Sequence, residues 1–297
     1  ARPGSAGFFT FVAFVAPALV LLALFFVYPV ASSLVHSAFR WDGFRPGRFV
    51  GLGNYRELLA DRHARAAALN ILQFIAGRLA LNLTFPMLAA LLLFHLKGRR
   101  ASAAYRVLFT IPMVVPMMVV LLTWKFIYHP HDGLLNRLLA AAGLEGWTRA
   151  WLGDFGTALY AVIGMGFPWV TGLGIAGFAL LIFLAALQAI PVEIFDALAV
   201  DGVGMAARLA RIELPLIAGP IRLIAVLTTI NTLKSYVPVM ILTGGGPSDR
   251  SLVPGLYLYQ NAFYYDRFGY ASAIGVMMTL FLVALAALNN RAAGGRG

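Results

Sequence analysis

The sequence has no cysteine, so the chain forms no disulfide and offers no thiolate ligand for a metal ion. Charged residues are also scarce. Asp, Glu, Lys and Arg make up 12% of the 297 residues, whereas a soluble domain usually has about 25%. The pattern G-x-x-x-x-G-K-[ST] is missing as well, which excludes ATP binding through a P-loop in this chain. A soluble globular fold is therefore disfavoured.

Hydrophobic residues, in contrast, make up 61% of the chain and form long runs. A transmembrane helix needs about 20 mostly apolar residues. Six stretches meet this requirement, at about residues 8–35, 69–96, 105–128, 156–188, 216–243 and 270–289. Open β-strands cannot satisfy their backbone hydrogen bonds in lipid. We therefore predict an all-α, polytopic membrane protein with six transmembrane helices. The first stretch is too long for the apolar part of a signal peptide, so we expect a retained anchor.

The net charge of +11 comes mostly from arginines between the apolar stretches. These arginines are dispersed and do not cluster on one domain, so we expect no nucleic-acid partner. The positive-inside rule does not fix the orientation, because ten basic residues fall on each side of the predicted membrane. The compact run KGRR at 97–100 favours cytoplasmic termini.

One charged segment, VEIFDALAVDGVGMAARLARIELP at residues 192–215, interrupts the apolar runs. Pro191 suits a first helical position, and carboxylates in the first turns suit a helix N-terminus. Glycines at 202 and 204 then break the pattern, so we predict helix–turn–helix. A ridge at i, i+3, i+4 and i+7 is formed by Ile194, Ala197, Leu198 and Asp201. Spacing alone leaves two interpretations open, a solvated linker helix and a helix docked in another protein's groove.

Two other patterns suggest cofactors or metals but have simpler explanations. GLGIAG at 172–177 matches G-x-G-x-x-G, yet it lies in an apolar run where small residues favour close helix packing. The five histidines are scattered, and HPH at 129–131 fits an interfacial loop better than a metal site. We predict no metal site and no catalytic residues, since no convergent catalytic set for a membrane-embedded enzyme is present.

Polar residues within apolar spans are candidates for function. The fifth stretch carries four uncharged ones at i, i+3, i+4 and i+7, namely Thr228, Asn231, Thr232 and Ser235. They predict one hydrogen-bonding face of a helix. This face either contacts neighbouring helices or lines a wet cavity for a neutral, hydroxyl-rich solute. Four residues on one face favour the cavity.

Further candidates for solute binding lie nearby or in other spans. Lys234 is at the edge of the polar face, and Arg78 lies near Asn82 in the second stretch. Either cation binds an anionic solute or stabilises the scaffold near a helix end. In the fourth stretch, Trp169, Thr171 and Phe178 are candidates for contacts with a sugar, although aromatics there more often serve packing. The predicted solute contacts are Thr228, Asn231, Thr232, Ser235, Thr171, Phe178, Lys234 and Asn82.

The charged segment in its context resembles the cytoplasmic EAA loop of the membrane subunits of binding-protein-dependent ABC importers. The matching positions are Asp196-Ala197-Leu198, Asp201-Gly202, Ile212, Leu214 and Pro215. Asp196 replaces the usual Glu, and Leu198 replaces the usual second alanine. Other stretches resemble the carbohydrate branch with maltose-type and glycerol-phosphate-type permeases: GLGNY at 51–55, TWKFIYHPHDGLLNRLL at 123–139, LTGGGPSD at 242–249 and GYASA at 269–273.

This resemblance implies a type I importer permease fold in the bacterial cytoplasmic (inner) membrane. It implies a second permease subunit, two ATP-binding subunits that bind ATP and Mg²⁺, and an extracytoplasmic solute-binding protein. The EAA loop then becomes the coupling helix, which places it and both termini in the cytoplasm. This chain needs no cofactor of its own. The coupling residues implied are Glu193, Asp196, Ala197, Leu198, Asp201, Gly202, Arg208 and Pro215.

The expected organisation is an N-terminal helix and extracytoplasmic loop at 1–65, a transmembrane domain at 66–290 with its coupling loop at 191–215, and a tail at 291–297. The expected function is transport of a carbohydrate, polyol or related solute, with a phosphorylated glycerol derivative among the options. The alternative is an ion-coupled secondary transporter, which predicts intramembrane acids. All twelve acids lie in loops or at span ends, which favours the importer.

Overall fold

A computed structural model describes residues 5–96, 98–167 and 175–294. These residues are mostly helical, as the sequence predicts, with one pair of two-residue strands. The helices are α1 Ser5–Leu22, α2 Tyr28–His36, α3 Gly53–Ala60, α4 Arg62–His95, α5 Arg99–Thr110, α6 Met117–Ile127, α7 Leu134–Ala141, α8 Ala158–Gly164, α9 Ile175–Gln188, α10 Val192–Val200, α11 Met205–Arg208, α12 Leu214–Leu216, α13 Ala218–Lys234, α14 Val237–Leu242, α15 Pro254–Phe263 and α16 Phe268–Gly294. The strands are β1 Phe39–Arg40 and β2 Arg48–Phe49.

Among the described residues, three helical segments are long and apolar enough to cross a membrane: Phe11–His36, Arg62–His95 and Phe268–Ala287. Three bent helix pairs also qualify, with bends of 92°, 67° and 67°: Arg100–Val114 with Met117–Ile127, Ala176–Gln188 with Val192–Val200, and Met205–Leu216 with Ala218–Lys234. Pro116 directly precedes the second helix of the first pair, and Pro191 that of the second pair. Proline cannot continue a helix, which explains a break at each of these positions. Six spans result if each pair counts as one.

The chain divides into two compact units. The first comprises residues up to Arg65 and from Tyr257 onward, and the second comprises Ala66–Leu256. This division describes packing alone, so the expected functional division at 65/66 and 290/291 stays a prediction.

In the first unit, α16 packs against α2 and α3. The GLGNY stretch has a structural role here. The amide of Asn54, which is 2% exposed, donates hydrogen bonds to the carbonyls of Ser37 and Phe39 at 2.8 Å each. These bonds fix the start of α3 against β1.

Asp61 is the polar centre of the same unit. It accepts hydrogen bonds from the hydroxyls of Tyr257 and Tyr270. Burial raises the pKa of Asp61, but these bonds and the backbone N–H groups of His63 and Ala64 outweigh it and lower the pKa below 3.8. Burial together with the Asp61 bond raises the pKa of Tyr257 to about 12. The cluster therefore holds a carboxylate by hydrogen bonds.

In the second unit, the core forms mainly between α4, α9 and α13. Its fully buried members include Ala90, Phe183, Leu187 and Ile224. Gly177 on α9 lies so close to Met113 that an added Cβ would be 2.7 Å from its side chain. This contact agrees with close packing as the role of the small residues in GLGIAG. The other two glycines of that pattern, at 172 and 174, lie outside the described residues.

The LTGGGPSD loop of the second unit is ordered by specific bonds. Asn70 on α4 donates to the carbonyls of Asp249 and Leu252 at 2.6 and 2.9 Å. The Ser251 hydroxyl donates to the Gly246 carbonyl at 2.6 Å and lies 2.7 Å from the Thr243 hydroxyl. The glycine-rich sequence therefore forms a fixed turn, as its composition indicates.

Candidate functional site

The fifth apolar stretch is not one helix, because α13 ends at Lys234. Ser235 takes an extended conformation (φ −84°, ψ 94°). A continuous helix would need the backbone N–H of residue 238 to bond Lys234, and Pro238 has none. A new helix, α14, therefore begins at Val237. The prediction of four polar residues on one helical face is wrong for Ser235, which lies beyond the helix end.

A cavity of ≈ 340 Å³, the α13 cavity, lies beside this break. Five of the eight predicted solute contacts line it: Asn82, Asn231, Thr232, Lys234 and Ser235. The remaining lining residues are Phe74, Arg78, Met117, Tyr236 and Val237. The wall thus combines amides, hydroxyls and two cations with apolar and aromatic surface. Such a mixture suits a small polar solute.

The other three predicted contacts have different positions. Thr228 is completely buried and accepts a hydrogen bond from the Asn82 amide at 3.4 Å, so it supports the wall from behind. Phe178 on α9 is 40% exposed and does not line the cavity. Thr171, together with Trp169, lies outside the described residues. The candidates of the second and fifth spans therefore lie together at the cavity, whereas Phe178 does not line it.

One face of α4 contributes three side chains to the cavity, more than the two polar residues of this stretch indicate. Phe74, Arg78 and Asn82 all line it, and they recur every four residues, the spacing that places side chains on one helical face. Phe74 was not among the predicted residues, and Arg78 was one of several candidates for solute binding. A search for i, i+4, i+8 spacing around Asn82 would have found both.

Arg78 is the most deeply buried charge in this wall, at 3% exposure. Its Nη2 donates to the Val162 carbonyl at 3.0 Å, and its guanidinium lies 5.6 Å from the centre of the Phe74 ring. Within the described residues, Arg78 Nη1 and Asn82 Oδ1 have no hydrogen-bond partner. The wall therefore holds one unmatched donor and one unmatched acceptor, both buried.

The charged segment forms the predicted helix–turn–helix. Pro191 precedes α10 and is not its first residue. After α10 the chain turns at Asp201 and Gly202, and Gly202 has φ +66°, a conformation that glycine adopts without strain. The next helix, α11, begins after Gly204, and a π-helical turn at Leu209–Glu213 follows it.

The exposed surface of this segment differs from the predicted ridge. Ala197 and Asp201 are exposed, but Ile194 and Leu198 are half-buried. Neighbouring Phe195 lies 5.6 Å from the ring of Phe94 on α4, so the apolar side of α10 turns toward the protein. The open surface carries three predicted acids, Glu193, Asp196 and Asp201. Three large apolar residues that the prediction missed, Val192, Val200 and Met205, are 62%, 88% and 61% exposed.

Arg208 points inward instead of presenting its charge to a partner. Its Nε donates to Glu213 Oε1 at 2.6 Å, and its guanidinium lies 4.3 Å from the centre of the Phe195 ring. Glu213 is 1% exposed and also lies 3.6 Å from His95 Nε2. Arg208 therefore fastens the end of the segment to α10. Gly202 and Pro215, by contrast, are exposed.

The histidines do not gather into a site. The rings of His129 and His131 are 6.1 Å apart, and His129 Nδ1 accepts the backbone N–H of Asp132. Within the described ranges, no group of three His, Asp or Glu side chains could hold a metal ion. The HPH sequence thus orders a loop.

Comparison with known proteins places this geometry in context. The family model for the binding-protein-dependent transport system inner membrane component matches residues 62–293. A probable ABC transporter permease protein, YurN of Bacillus subtilis, is 35% identical over 273 residues, which cover 92% of this chain and 91% of YurN. The diacetylchitobiose uptake system permease protein NgcF of Streptomyces coelicolor is 31% identical, covering 96% of this chain and 83% of NgcF.

The fold is similar to that of a solved membrane protein. A chain in the crystal structure of a bacterial alginate ABC transporter, in complex with an alginate pentasaccharide-bound periplasmic protein, superposes with a TM-score of 0.81. The match has 18% sequence identity and covers 95% of this chain and 93% of the other.

Proposed function

Since the chain belongs to the family of binding-protein-dependent transport system inner membrane components, we propose that it forms half of the translocation pathway of an ATP-driven importer. Its solute is a carbohydrate, polyol or related small molecule. The observation that carries this proposal is the α13 cavity, where amides and hydroxyls from two spans meet apolar and aromatic side chains. Sugars present the same combination of hydroxyl groups and apolar ring faces.

One relative and one structural neighbour support the carbohydrate class. NgcF belongs to a diacetylchitobiose uptake system, and the structural neighbour belongs to an alginate transporter. Both solutes are built from sugar units. The ion-coupled alternative gains nothing from the cavity, because none of its lining residues is acidic.

The charged segment supplies the coupling surface in this proposal. Its exposed acids and the apolar side chains of Val200 and Met205 suit a groove on an ATPase subunit, with polar and apolar contacts side by side. Two such subunits bind ATP and Mg²⁺, and a second permease completes the pathway. An extracytoplasmic binding protein delivers the solute. The chain lies in the cytoplasmic (inner) membrane with its termini in the cytoplasm.

Transport then follows from a shift between two pre-existing states. ATP binding draws the ATPase subunits together and moves the charged segments of both permeases, which biases the cavity from inward-facing to outward-facing. The loaded binding protein favours the same outward-facing state. Neither ligand creates a new conformation, since each binds one state better than the other.

A charge reversal on the exposed side of α10 tests the coupling role. Asp196→Arg places a cation where the proposed groove accepts an acid, and such a mismatch costs several kcal/mol. We expect solute-stimulated ATP hydrolysis of the assembled complex to fall by about tenfold or more. Co-purification of the ATPase subunits should weaken as well. Asp132→Arg, at an exposed acid of a different loop, is the control and should leave both quantities unchanged.

Two results would contradict the proposal. Normal stimulation and co-purification in Asp196→Arg would remove the coupling role. ATP-independent uptake by the chain alone, driven by an ion gradient across proteoliposomes, would favour the secondary transporter.

A further inference from the structure

The α13 cavity contains a buried cation whose charge the protein leaves uncompensated. Arg78 is 3% exposed, and no carboxylate of the described residues lies within ion-pair distance of it. An isolated charge away from water is costly unless something pairs with it. We propose that the partner is the solute itself, a sugar or polyol that carries a carboxylate, sulfonate or phosphate group. This inference rests on the proposed function, because it names the substrate class of the same cavity.

The contacts that Arg78 does make leave most of its binding capacity unused. A guanidinium has five N–H donors in a planar fork that matches carboxylate and phosphate oxygens. Val162 accepts from Nη2, and the Phe74 ring lies near the guanidinium, whereas Nη1 has no partner among the described residues. A purely structural brace to the Val162 carbonyl would require only a neutral amide donor. The charge and the remaining donors therefore point to a ligand.

The other lining residues of the α13 cavity also favour an anionic ligand. Lys234 brings a second cation to the same wall, and none of the ten lining residues is Asp or Glu. Two cations without an acid attract an anion and disfavour a cation. A neutral sugar would satisfy hydrogen bonds here but would leave the charge of Arg78 unpaired.

The neutral part of the wall indicates that the anion carries hydroxyl groups. Asn82 has an unpartnered Oδ1 that accepts a hydroxyl proton, and Asn231, Thr232 and Ser235 add further amide and hydroxyl groups. A bare inorganic anion would leave these groups unused. An acidic sugar or a polyol phosphate would engage both parts of the wall.

The test compares two disaccharides, one with carboxylates at the positions where the other has neutral hydroxymethyl groups. The assembled importer, without its binding protein, is titrated in detergent with digalacturonate and with the neutral disaccharide galactobiose, and Kd is measured by calorimetry. We expect wild type to bind digalacturonate more tightly. Arg78→Gln keeps a donor for Val162 and removes the charge, so its affinity for digalacturonate should fall about tenfold to hundredfold. Galactobiose affinity should change little.

Two further variants keep the result interpretable. Arg78→Lys retains the charge without the planar fork and should restore part of the preference. Lys125→Met removes a cation that does not line the cavity, so it should leave the preference intact. The inference is overturned if wild type binds the two probes equally or binds neither. It is also overturned if Arg78→Gln keeps the full preference for digalacturonate.

Two other outcomes have separate meanings. A complex that fails to assemble or to hydrolyse ATP contradicts the proposed function, whereas an active complex without anion preference contradicts only the inference. Repeating the titration in nanodiscs with and without phosphatidylglycerol separates solute from lipid. If Arg78 stabilises the complex only when the anionic lipid is present, the site binds a lipid headgroup. This result would overturn the solute assignment.

Discussion

Among the described residues of the second unit, two charged side chains are almost completely buried, and they have opposite surroundings. Glu213 is 1% exposed and lies 2.6 Å from Arg208 and 3.6 Å from His95. Arg78 is 3% exposed and makes one hydrogen bond, to a neutral carbonyl. The first charge is neutralised by the protein and holds the charged segment in shape. The second is left for a ligand. The difference shows how to separate structural from functional charges within one chain.

The largest expected effect comes from turning the paired charge into an unpaired one. Arg208→Met leaves Glu213 with His95 as its remaining partner, and breaking a buried pair in this way costs about 3 kcal/mol or more. We expect a clear fall in the thermal midpoint of the purified complex. Arg211→Met removes an exposed cation of the same segment and should change stability by less than about 0.5 kcal/mol. Equal midpoints for the two variants would show that the Arg208–Glu213 pair does not hold the segment.

A second, smaller effect separates charge from hydrogen bonding within the cavity. Asn231 is exposed in the same wall as Arg78 but carries no charge. Asn231→Leu should weaken digalacturonate and galactobiose binding alike, by about tenfold for one lost hydrogen bond. The ratio of the two affinities should stay as in wild type. Gln260→Leu, outside the cavity lining, is the control. Unchanged affinities in Asn231→Leu would reduce this residue to a packing role.

The smallest effect concerns Asp61, whose charge is stabilised by hydrogen bonds. The folded pKa of Asp61 is lowered below 3.8, so its stabilising contribution is present above that pH. The contribution is lost as pH falls through the folded pKa. Because solvent screens this half-buried group, we expect less than about 1 kcal/mol. The midpoint difference between wild type and Asp61→Asn should be constant from pH 7 to about 4 and shrink below it. A difference that grows on acidification would contradict this account.

The sequence predicts much of this architecture because lipid imposes a simple rule on composition. The predicted apolar run 270–289 falls within α16, and the run 69–96 ends one residue beyond α4. The turn at Gly202 was equally predictable, since glycine interrupts an otherwise helical pattern there. These features depend on local sequence alone.

Other features depend on which elements meet, and local patterns miss them. Regular i, i+3, i+4, i+7 spacing placed Ser235 on the helix, although Pro238 three residues later already opposed this. Arg208 was expected to contact a partner subunit, but it contacts Glu213 instead. This contact crosses a π-helical turn, which helical periodicity does not predict. Arg78 was one of several candidates for solute binding. Its lack of a carboxylate partner is visible only when the surrounding helices are packed.

The most direct test of the account measures Arg78→Gln and Arg208→Met side by side in the same preparation of the complex. Each variant is assayed for its thermal midpoint and for the ratio of its digalacturonate and galactobiose affinities. We expect the two variants to give opposite results. Arg208→Met should lose stability and keep the ratio, whereas Arg78→Gln should lose the ratio and change stability by no more than about 1 kcal/mol. An Arg78→Gln complex that loses as much stability as Arg208→Met, but keeps its preference for the acid, would contradict it.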